Sequence, residues 1–282
     1  MRAVRVGDPS SGPRDAALRV TLAGWTVALD VEDGALAAIL RRVFGAFVSP
    51  SAGVSTDARL VLRTPATSRV APAVRELPLL EPGAEGTLRV EGEDYAAVLS
   101  PDRSQAEVTG TGRFPVETVL KVMLASALAK RGGLLIHGVG LSRGERAALF
   151  VGASGAGKST LGALWREAGG TVLADELVAV WPAEGGGWQA AGTPWNVLSS
   201  ATEAALVAVG TLAWDAASRW EAQGAGEVAR VLLLNALLPE PTTSGRGALV
   251  ASASRLLSSV ETARLVFARD ASAAAVVEER LA

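Results

Sequence analysis

A glycine-rich segment followed by a lysine and two hydroxyl residues is the part of the chain whose chemistry is easiest to recognise. It fits the pattern G-x-x-x-x-G-K-[ST] with Gly152, Ala153, Ser154, Gly155, Ala156, Gly157, Lys158, Ser159 and Thr160. A strand-like run precedes it and a helix-like run follows, which is the context this motif requires. Glycines let several backbone N–H groups converge on an anion, and the helix N-terminus adds positive potential. The motif predicts binding of the triphosphate of ATP or GTP, and we call residues 152–157 the glycine loop.

Lys158 and Ser159 have expected roles at that triphosphate. Lys158 would neutralise the β- and γ-phosphates, and Ser159 would offer its hydroxyl to Mg²⁺. The alternative is a glycine-rich turn that fits the pattern by chance. The chain has only three lysines, at 121, 130 and 158, so few positions could have satisfied the motif by accident. The pattern therefore favours nucleotide binding.

Two carboxylates, Asp175 and Glu176, end a predicted strand 17 residues after Lys158. A helix of about eleven residues and a short turn fill that interval, so a right-handed crossover predicts that strand 171–174 lies parallel beside strand 147–151. The carboxylates would then lie where open α/β sheets bind ligands.

This acidic pair has three interpretations. In an ATPase switch, Asp175 orders the metal's water shell and Glu176 activates a water molecule. In a kinase, one carboxylate accepts the proton of an acceptor hydroxyl while the other holds the metal. Two solvated side chains at a strand end are the third interpretation. The short spacing after Lys158 favours the kinase.

His137 is the only histidine in the chain and lies in a predicted strand at 134–141. Such a residue is commonly a packed core histidine, but this strand pairs with the one that enters the glycine loop. A role beside the nucleotide therefore stays open with the packing role. One histidine cannot build a histidine-based metal site.

Composition and charge argue against several classes of function. The 282 residues include 27 basic and 29 acidic side chains, well mixed, with a net charge of −2, so no surface for nucleic acid or an anionic membrane is expected. The absence of cysteine excludes disulfides and thiol nucleophiles. Neither a signal-peptide pattern nor a membrane-spanning apolar run is visible, which predicts a cytoplasmic protein.

The pattern of elements predicts two domains, residues 1–114 and 115–282. The first is expected to be a small α+β domain that serves oligomer contacts, substrate presentation or simple packing. Its predicted elements are a strand pair at 18–31 turning at Ala23-Gly24, a helix at 34–47, a loop at 65–86, and strands at 59–62, 87–90, 96–99 and 105–109.

The second domain is predicted to begin with a helix at 114–130. Strands 134–141 and 147–151 are separated by a short turn, so they must be antiparallel. The remaining predicted elements are strands at 171–174, 178–181 and 264–268 and helices at 158–167, 226–238, 247–259 and 272–281.

Three segments of this domain resemble the catalytic domain of bacterial HPr kinase/phosphorylase, whose nucleotide-binding core is shared with phosphoenolpyruvate carboxykinase. They are Ile136-His137-Gly138-Val139, then Phe150-Val151 with the glycine loop, Lys158 and Ser159, and then Leu173-Ala174-Asp175-Glu176. The resemblance covers residues 130–200. It implies an α/β fold with a mixed-sheet P-loop kinase core of HPr kinase/carboxykinase type, preceded by the small α+β domain.

The same resemblance implies roles for single residues. Asp175 matches the aspartate that accepts the proton of the substrate serine, Glu176 stands where the family has a second, metal-binding aspartate, and His137 matches a histidine near the transferred phosphate. Glu176 departs from the family pattern, so reverse phosphorolysis is not implied.

Two further segments bear on this resemblance. Gly192-Thr193-Pro194-Trp195 is similar to a turn in distant HPr kinase-like proteins, including ones that phosphorylate serine in ribosomally made peptides; a tight turn anchored by a buried Trp explains it equally. The carboxykinase branch needs a further metal-binding lysine and histidine. Lys121 and Lys130 both lie on the predicted helix before the glycine loop, so we do not expect a carboxykinase.

The sequence therefore predicts an ATP- and Mg²⁺-dependent kinase that transfers the γ-phosphate to a hydroxyl, expected to be serine, of a peptide or small protein. The expected catalytic residues are Asp175, Lys158 and His137, and the expected metal ligands are Ser159, Asp175 and Glu176. An ATPase switch and a nucleotide-binding regulatory protein without chemistry are the alternatives. Homo-oligomer formation is a further expectation, and nucleic acid and membrane are not expected partners.

Overall fold

Two β-sheets and six α-helices make up the described parts of this computed structural model, which are residues 17–49, 55–65, 77–196 and 198–282. The architecture is α/β, and both sheets mix parallel and antiparallel pairs. Throughout these ranges, every helix is too short or too polar to traverse a bilayer.

The first sheet has seven strands in the order β1-β2-β3-β7-β6-β5-β4. They are β1 (Leu18–Leu22), β2 (Trp25–Val31), β3 (Ala58–Arg63), β4 (Leu79–Pro82), β5 (Leu88–Glu91), β6 (Ala96–Leu99) and β7 (Gln105–Thr109). The predicted turn between β1 and β2 is confirmed: Ala23 and Gly24 both have positive φ, the backbone that a tight hairpin requires. Helix α1 (Gly34–Phe44) follows β2 and is capped by Asp33, whose carboxylate accepts from the N–H groups of Ala35 and Leu36.

The predicted loop at 65–86 is wrong in its second part, because β4 pairs with β5 there. Residues 66–76 of that loop lie outside the described ranges. The sequence did not suggest a strand here because two prolines and two glycines lie between residues 78 and 86. Proline is compatible with this position because β4 lies at the edge of the sheet.

Helix α2 (Arg113–Lys130) is buried on most of its surface. Pro115 lies in its first turn, a position that does not need an N–H donor, and Gly132 with positive φ follows its end. Val119, Leu120 and Met123 belong to one hydrophobic cluster that includes residues of the first sheet and residues of the second. Contact with both sheets explains why this helix has apolar residues on all sides.

The second sheet has eight strands. They are β8 (Leu134–Arg143), β9 (Arg146–Val151), β10 (Thr171–Ala174), β11 (Leu177–Pro182), β12 (Trp188–Ala191), β13 (Glu203–Trp214), β14 (Arg219–Ala222) and β15 (Glu261–Phe267). Five of them close into a ring, because β8 pairs with β9, β9 with β13, β13 with β12, β12 with β11, and β11 again with β8. Strand β10 extends the sheet from β8, and β15 and β14 extend it from β13.

Four helices cover this second sheet in two groups. Helix α3 (Lys158–Glu167) and helix α6 (Ser272–Leu281) share one hydrophobic cluster, which includes Phe150 and Leu265. Helix α4 (Ala225–Asn235) and helix α5 (Thr243–Leu257) share another. The helices predicted here are confirmed, with ends that differ by a few residues.

The structure confirms the antiparallel hairpin of β8 and β9 but not the predicted neighbour of β9. Strand β10 runs in the direction of β9, yet it pairs with β8, which lies between the two. The cause is the length of β8: its second half pairs with β9 on one edge and β10 on the other, while its first half pairs with β11. Strands β12, β13 and β14 were not predicted at all.

Candidate functional site

The glycine loop joins β9 to α3 at the edge where β9, β13 and β15 all end. β13 is parallel to both other strands, so the three carboxyl ends lie side by side. Within the loop Gly155 and Gly157 have φ values of 79° and 102°, which favour glycine. Gly157 is also the N-cap of α3 and has no side chain to occupy the first-turn N–H groups. The loop therefore leaves backbone donors and the positive end of a helix available to bind an anion.

The packing around the loop leaves no room for side chains at two of its glycines. A Cβ atom at Gly157 would lie 2.4 Å from Trp214 and 2.8 Å from Phe267, and one at Gly152 would lie 2.8 Å from Ala156. The loop is therefore held by aromatic residues at the ends of β13 and β15. The motif in the sequence did not indicate these supports.

Lys158 folds back across the loop. Its Nζ donates to the backbone oxygens of Gly152, at 2.8 Å, and Ala153, at 3.2 Å, and the residue is only 8% exposed. Burial lowers the pKa of Lys158. The ammonium group thus lies against the start of the loop, where it can exchange two carbonyl contacts for phosphate oxygens.

Asp175 is buried between β10 and β11, with 6% of its surface exposed. It accepts a hydrogen bond from the Ser159 hydroxyl at the start of α3. Burial raises the pKa of Asp175, although the bonds from Ser159 and Asn196 act in the opposite direction. Its Oδ1 atom is buried and has no hydrogen-bond partner. A buried polar atom of this kind needs an explanation, and a cation or a donor on a bound molecule would supply one.

Glu176 forms an ion pair with Lys121, a residue that was not predicted to lie at the site. Its Oε1 lies 3.4 Å from Nζ of Lys121 on α2, whose ammonium also lies 5.4 Å from the centre of the Trp195 ring. The position of Lys121 on an earlier helix was therefore no reason to exclude it from the site. Lys130, at the other end of α2, instead contacts the backbone oxygen of Asp102.

His137 lies on β8 directly opposite Leu177 of β11, the residue that follows Glu176. Burial, followed by the positive charge of Lys158, lowers the pKa of His137; Glu176 raises it and Lys121 lowers it. At neutral pH the imidazole is thus expected to be uncharged. Lys158 and Glu176 thus both act electrostatically on His137.

The Gly192-Thr193-Pro194-Trp195 turn packs against the strand residues that flank the acidic pair. A Cβ at Gly192 would lie 2.1 Å from the backbone oxygen of Leu173, and the buried Thr193 hydroxyl donates to the backbone oxygen of Leu177. These contacts involve Leu173, two residues before Asp175, and Leu177, the residue after Glu176. The tetrapeptide is thus an anchored turn, but its anchors are Gly192 and Thr193, because Trp195 is only partly buried.

The residues present fit a nucleotide with Mg²⁺. The described ranges contain no cluster of three or more His, Asp and Glu side chains that could hold a metal ion by itself. Mg²⁺ beside phosphates needs only one or two protein ligands and keeps several waters. Ser159 and Asp175, which share a hydrogen bond and leave Oδ1 unpartnered, meet that requirement.

Trp214 and Arg269 lie next to the site, although no sequence motif singled them out. Trp214 Nε1 lies 3.5 Å from the backbone oxygen of Gly155, and the Arg269 guanidinium lies 4.4 Å from the centre of the Trp214 ring. Their link to the site depends on the pairing of β13 with β9 and β15, which no local pattern encodes.

Comparison of the chain with protein-family models and with curated proteins returned no match.

Proposed function

We propose that this protein is an ATP- and Mg²⁺-dependent kinase with a catalytic core of the HPr kinase/carboxykinase type. It would transfer the γ-phosphate to the hydroxyl of a serine in a peptide or small protein. The observation that carries this proposal is the pair formed by Lys158 and Asp175: a cation lying in the glycine loop and a buried carboxylate with an unpartnered oxygen, joined through adjacent Ser159.

Each group has a task in that reaction. The bond between the acceptor oxygen and the γ-phosphorus forms as the bond to the β,γ-bridging oxygen breaks, and ADP leaves. Lys158 and the loop N–H groups stabilise charge on the phosphates, and Asp175 receives the proton of the acceptor hydroxyl. Its raised pKa makes the carboxylate a stronger base than an exposed aspartate. Neutral His137 donates a hydrogen bond that orients the reacting groups.

Mg²⁺, when bound, adds positive charge at the β- and γ-phosphates. Ser159, Asp175 and Glu176 are the side chains proposed to hold it. For Glu176 this role means exchanging its ion pair with Lys121 for the metal. Lys121 would then be free to meet a phosphate oxygen or the acceptor.

The test compares Asp175→Asn with Lys158→Ala. Both variants and wild type are incubated with ATP, Mg²⁺ and serine-containing peptides, and phosphopeptides are scored by mass spectrometry. We expect Asp175→Asn to bind ATP but to transfer phosphate at least about 100-fold more slowly, the usual effect of losing a general base. We expect Lys158→Ala to lose ATP binding in a calorimetric titration.

Glu184→Gln is the matched control, because Glu184 is an exposed carboxylate beyond the other end of β11. It is expected to transfer phosphate at the wild-type rate. Normal turnover by Asp175→Asn would rule out the assignment of the base. ATP binding without turnover on any acceptor would instead favour the non-catalytic regulatory protein.

An ATPase switch is a second candidate, and the Ser159–Asp175 hydrogen bond favours it. A carboxylate tied to the metal-binding hydroxyl is placed to order the metal's shell, which leaves Glu176 to activate a water molecule. This candidate predicts rapid ATP hydrolysis without any acceptor, lost in Glu176→Gln. Absence of acceptor-independent hydrolysis in wild type would exclude it.

A further inference from the structure

The position of the acidic pair determines which way a bound nucleotide must point. β8 and β13 lie on opposite sides of β9, and Asp175 lies among the partners of β8. For transfer the γ-phosphate must face Asp175. The α-phosphate and the nucleoside must then extend towards the ends of β13 and β15, an inference that rests on the proposed function.

An aromatic and a guanidinium side chain lie at that end. Trp214, the last residue of β13, is 37% exposed, and its ring centre lies 4.3 Å from that of buried Phe267, the last residue of β15. Arg269 is exposed and its guanidinium lies 4.4 Å from the Trp214 ring centre. The indole also touches the glycine loop at Gly155 and Gly157. A partly exposed stack of the indole and the guanidinium thus adjoins the loop on the nucleoside side.

We propose that Trp214 and Arg269 form the nucleoside subsite, where the purine ring of the bound triphosphate stacks. Indole and guanidinium planes both stack on nucleobases, and every base presents a π face to such a platform. Phe267 supports the indole from beneath and fixes its position. The triphosphate is held by the glycine loop and the purine by this pair.

The polar groups near the subsite indicate little discrimination between purines. Asp215 accepts from the backbone N–H of Ala216 and pairs with Arg219 at 2.7 Å, and Asp270 accepts from the N–H and hydroxyl of Ser272. Both carboxylates are thereby engaged within the protein rather than directed at a base edge. Stacking depends on the flat face of the base and not on the polar groups along its edge. We therefore expect ATP and GTP to bind with affinities within about threefold of each other.

The test measures calorimetric binding of ATP, GTP and inorganic tripolyphosphate, each with Mg²⁺. Tripolyphosphate carries the phosphates without a nucleoside, so the ratio of the two affinities isolates the subsite from the loop. Trp214→Ala is expected to weaken ATP about tenfold relative to tripolyphosphate, the effect of losing one stacking contact. Arg269→Ala is expected to shift the ratio in the same direction, and Trp214→Phe, which keeps an aromatic ring, to retain most of the ATP affinity.

Trp220→Ala is the matched control. Trp220 also carries a stacked arginine, Arg280 at 5.6 Å, but it lies on β14 and packs on Phe150. Its loss should leave the ratio unchanged. Wild-type binding of both ligands with an unaltered ratio in Trp214→Ala overturns the subsite alone. Wild type that binds neither ATP nor tripolyphosphate overturns the proposed function and the subsite with it.

Discussion

A single carboxylate, Asp175, is at once the most buried acidic group of the site and the one with a vacant hydrogen-bonding oxygen. Removing an ionised carboxylate from water costs free energy that one or two hydrogen bonds do not fully offset. The raised pKa expresses that cost, since the folded protein holds the proton more tightly than the unfolded chain does. Such a residue is expected where function, rather than stability, determines its identity.

Asp175→Asn should therefore stabilise the fold at neutral pH. The folded-state pKa lies above the unfolded one, so ionised Asp175 destabilises the fold at pH values above both. This penalty fades as the pH falls through the folded pKa and is absent below the ordinary aspartate value. In calorimetric scans at pH 7 we expect the variant to have the higher melting temperature, by about 2–4 °C for each kcal/mol of added unfolding free energy. Near pH 3 we expect its melting temperature to match that of wild type.

Asp215→Asn gives the opposite sign and serves as the control. The hydrogen bond from Arg219 lowers the pKa of exposed Asp215, so its ionised form favours the fold above the ordinary aspartate value. Its replacement should lower the melting temperature slightly at pH 7 and have no effect near pH 2. An Asp175→Asn variant less stable than wild type at pH 7 would contradict the account of Asp175.

At the scale of secondary-structure elements, four elements bring ionisable side chains close together. β8 carries His137, α3 carries Lys158, the β10–β11 connection carries Glu176, and α2 carries Lys121. Electrostatic influence on His137 comes from all three of the other residues. Because His137 is the only histidine of the chain, one NMR signal reports on this convergence.

The pKa of His137 should respond to each charge in a known direction. In wild type it is expected below 6.5, mainly because of burial. Lys158→Met should raise it most, Lys121→Met should raise it less, and Glu176→Gln should lower it further. A pH titration followed by NMR measures these shifts. Lys130→Met, which removes a lysine that contacts Asp102 instead, should leave the pKa unchanged; equal values in all four variants would contradict this arrangement.

The sequence predicted local elements well and their partners poorly. The β8–β9 hairpin, the glycine loop and α6 follow from spacing, turns and motif, which act over a few residues. β13 was missed because its twelve residues include four alanines and two leucines, which favour helix, and because its burial alternates only in part.

The same limit applies to the candidate site, where residues in contiguous motifs could be singled out and residues distant in the sequence could not. Lys158 and the acidic pair were found because each belongs to a contiguous pattern. Lys121 lies 55 residues from Glu176, and Trp214 lies 59 residues from Gly155, so only the folded sheet brings them together. The position of β10 beside β8 rather than β9 is a further consequence of strand pairing, which the sequence does not display.

On the scale of the whole molecule, α2 joins the two sheets into one core. Its buried face packs with Leu60 and Val108 of the first sheet and with Leu135 and Leu177 of the second, all in one cluster. The predicted boundary at residue 114 thus falls at the start of the helix that both sheets share. Lys121 lies on this helix, so any displacement of the first sheet would also act on Glu176.

The closed ring of β8, β9, β13, β12 and β11 has a consequence for the order in which parts of the protein fold. Its hairpins form from neighbouring segments, but the ring closes only when β9 meets β13, as in the pairing of Arg146 with Ala205. Bringing such distant segments together costs loop entropy before any contact compensates for it. We therefore expect β9–β13 pairing to come late in refolding.

Stopped-flow refolding in denaturant can locate this step. Val209→Ala on β13 should mainly accelerate unfolding, with a φ-value below about 0.3, whereas Val139→Ala in the β8–β9 hairpin should slow folding, with a φ-value above about 0.5. Equal φ-values would contradict the order. In the expected order, the pairing that sets the glycine loop beside Trp214 forms after the rate-limiting step, and the site is among the last parts of the chain to take shape.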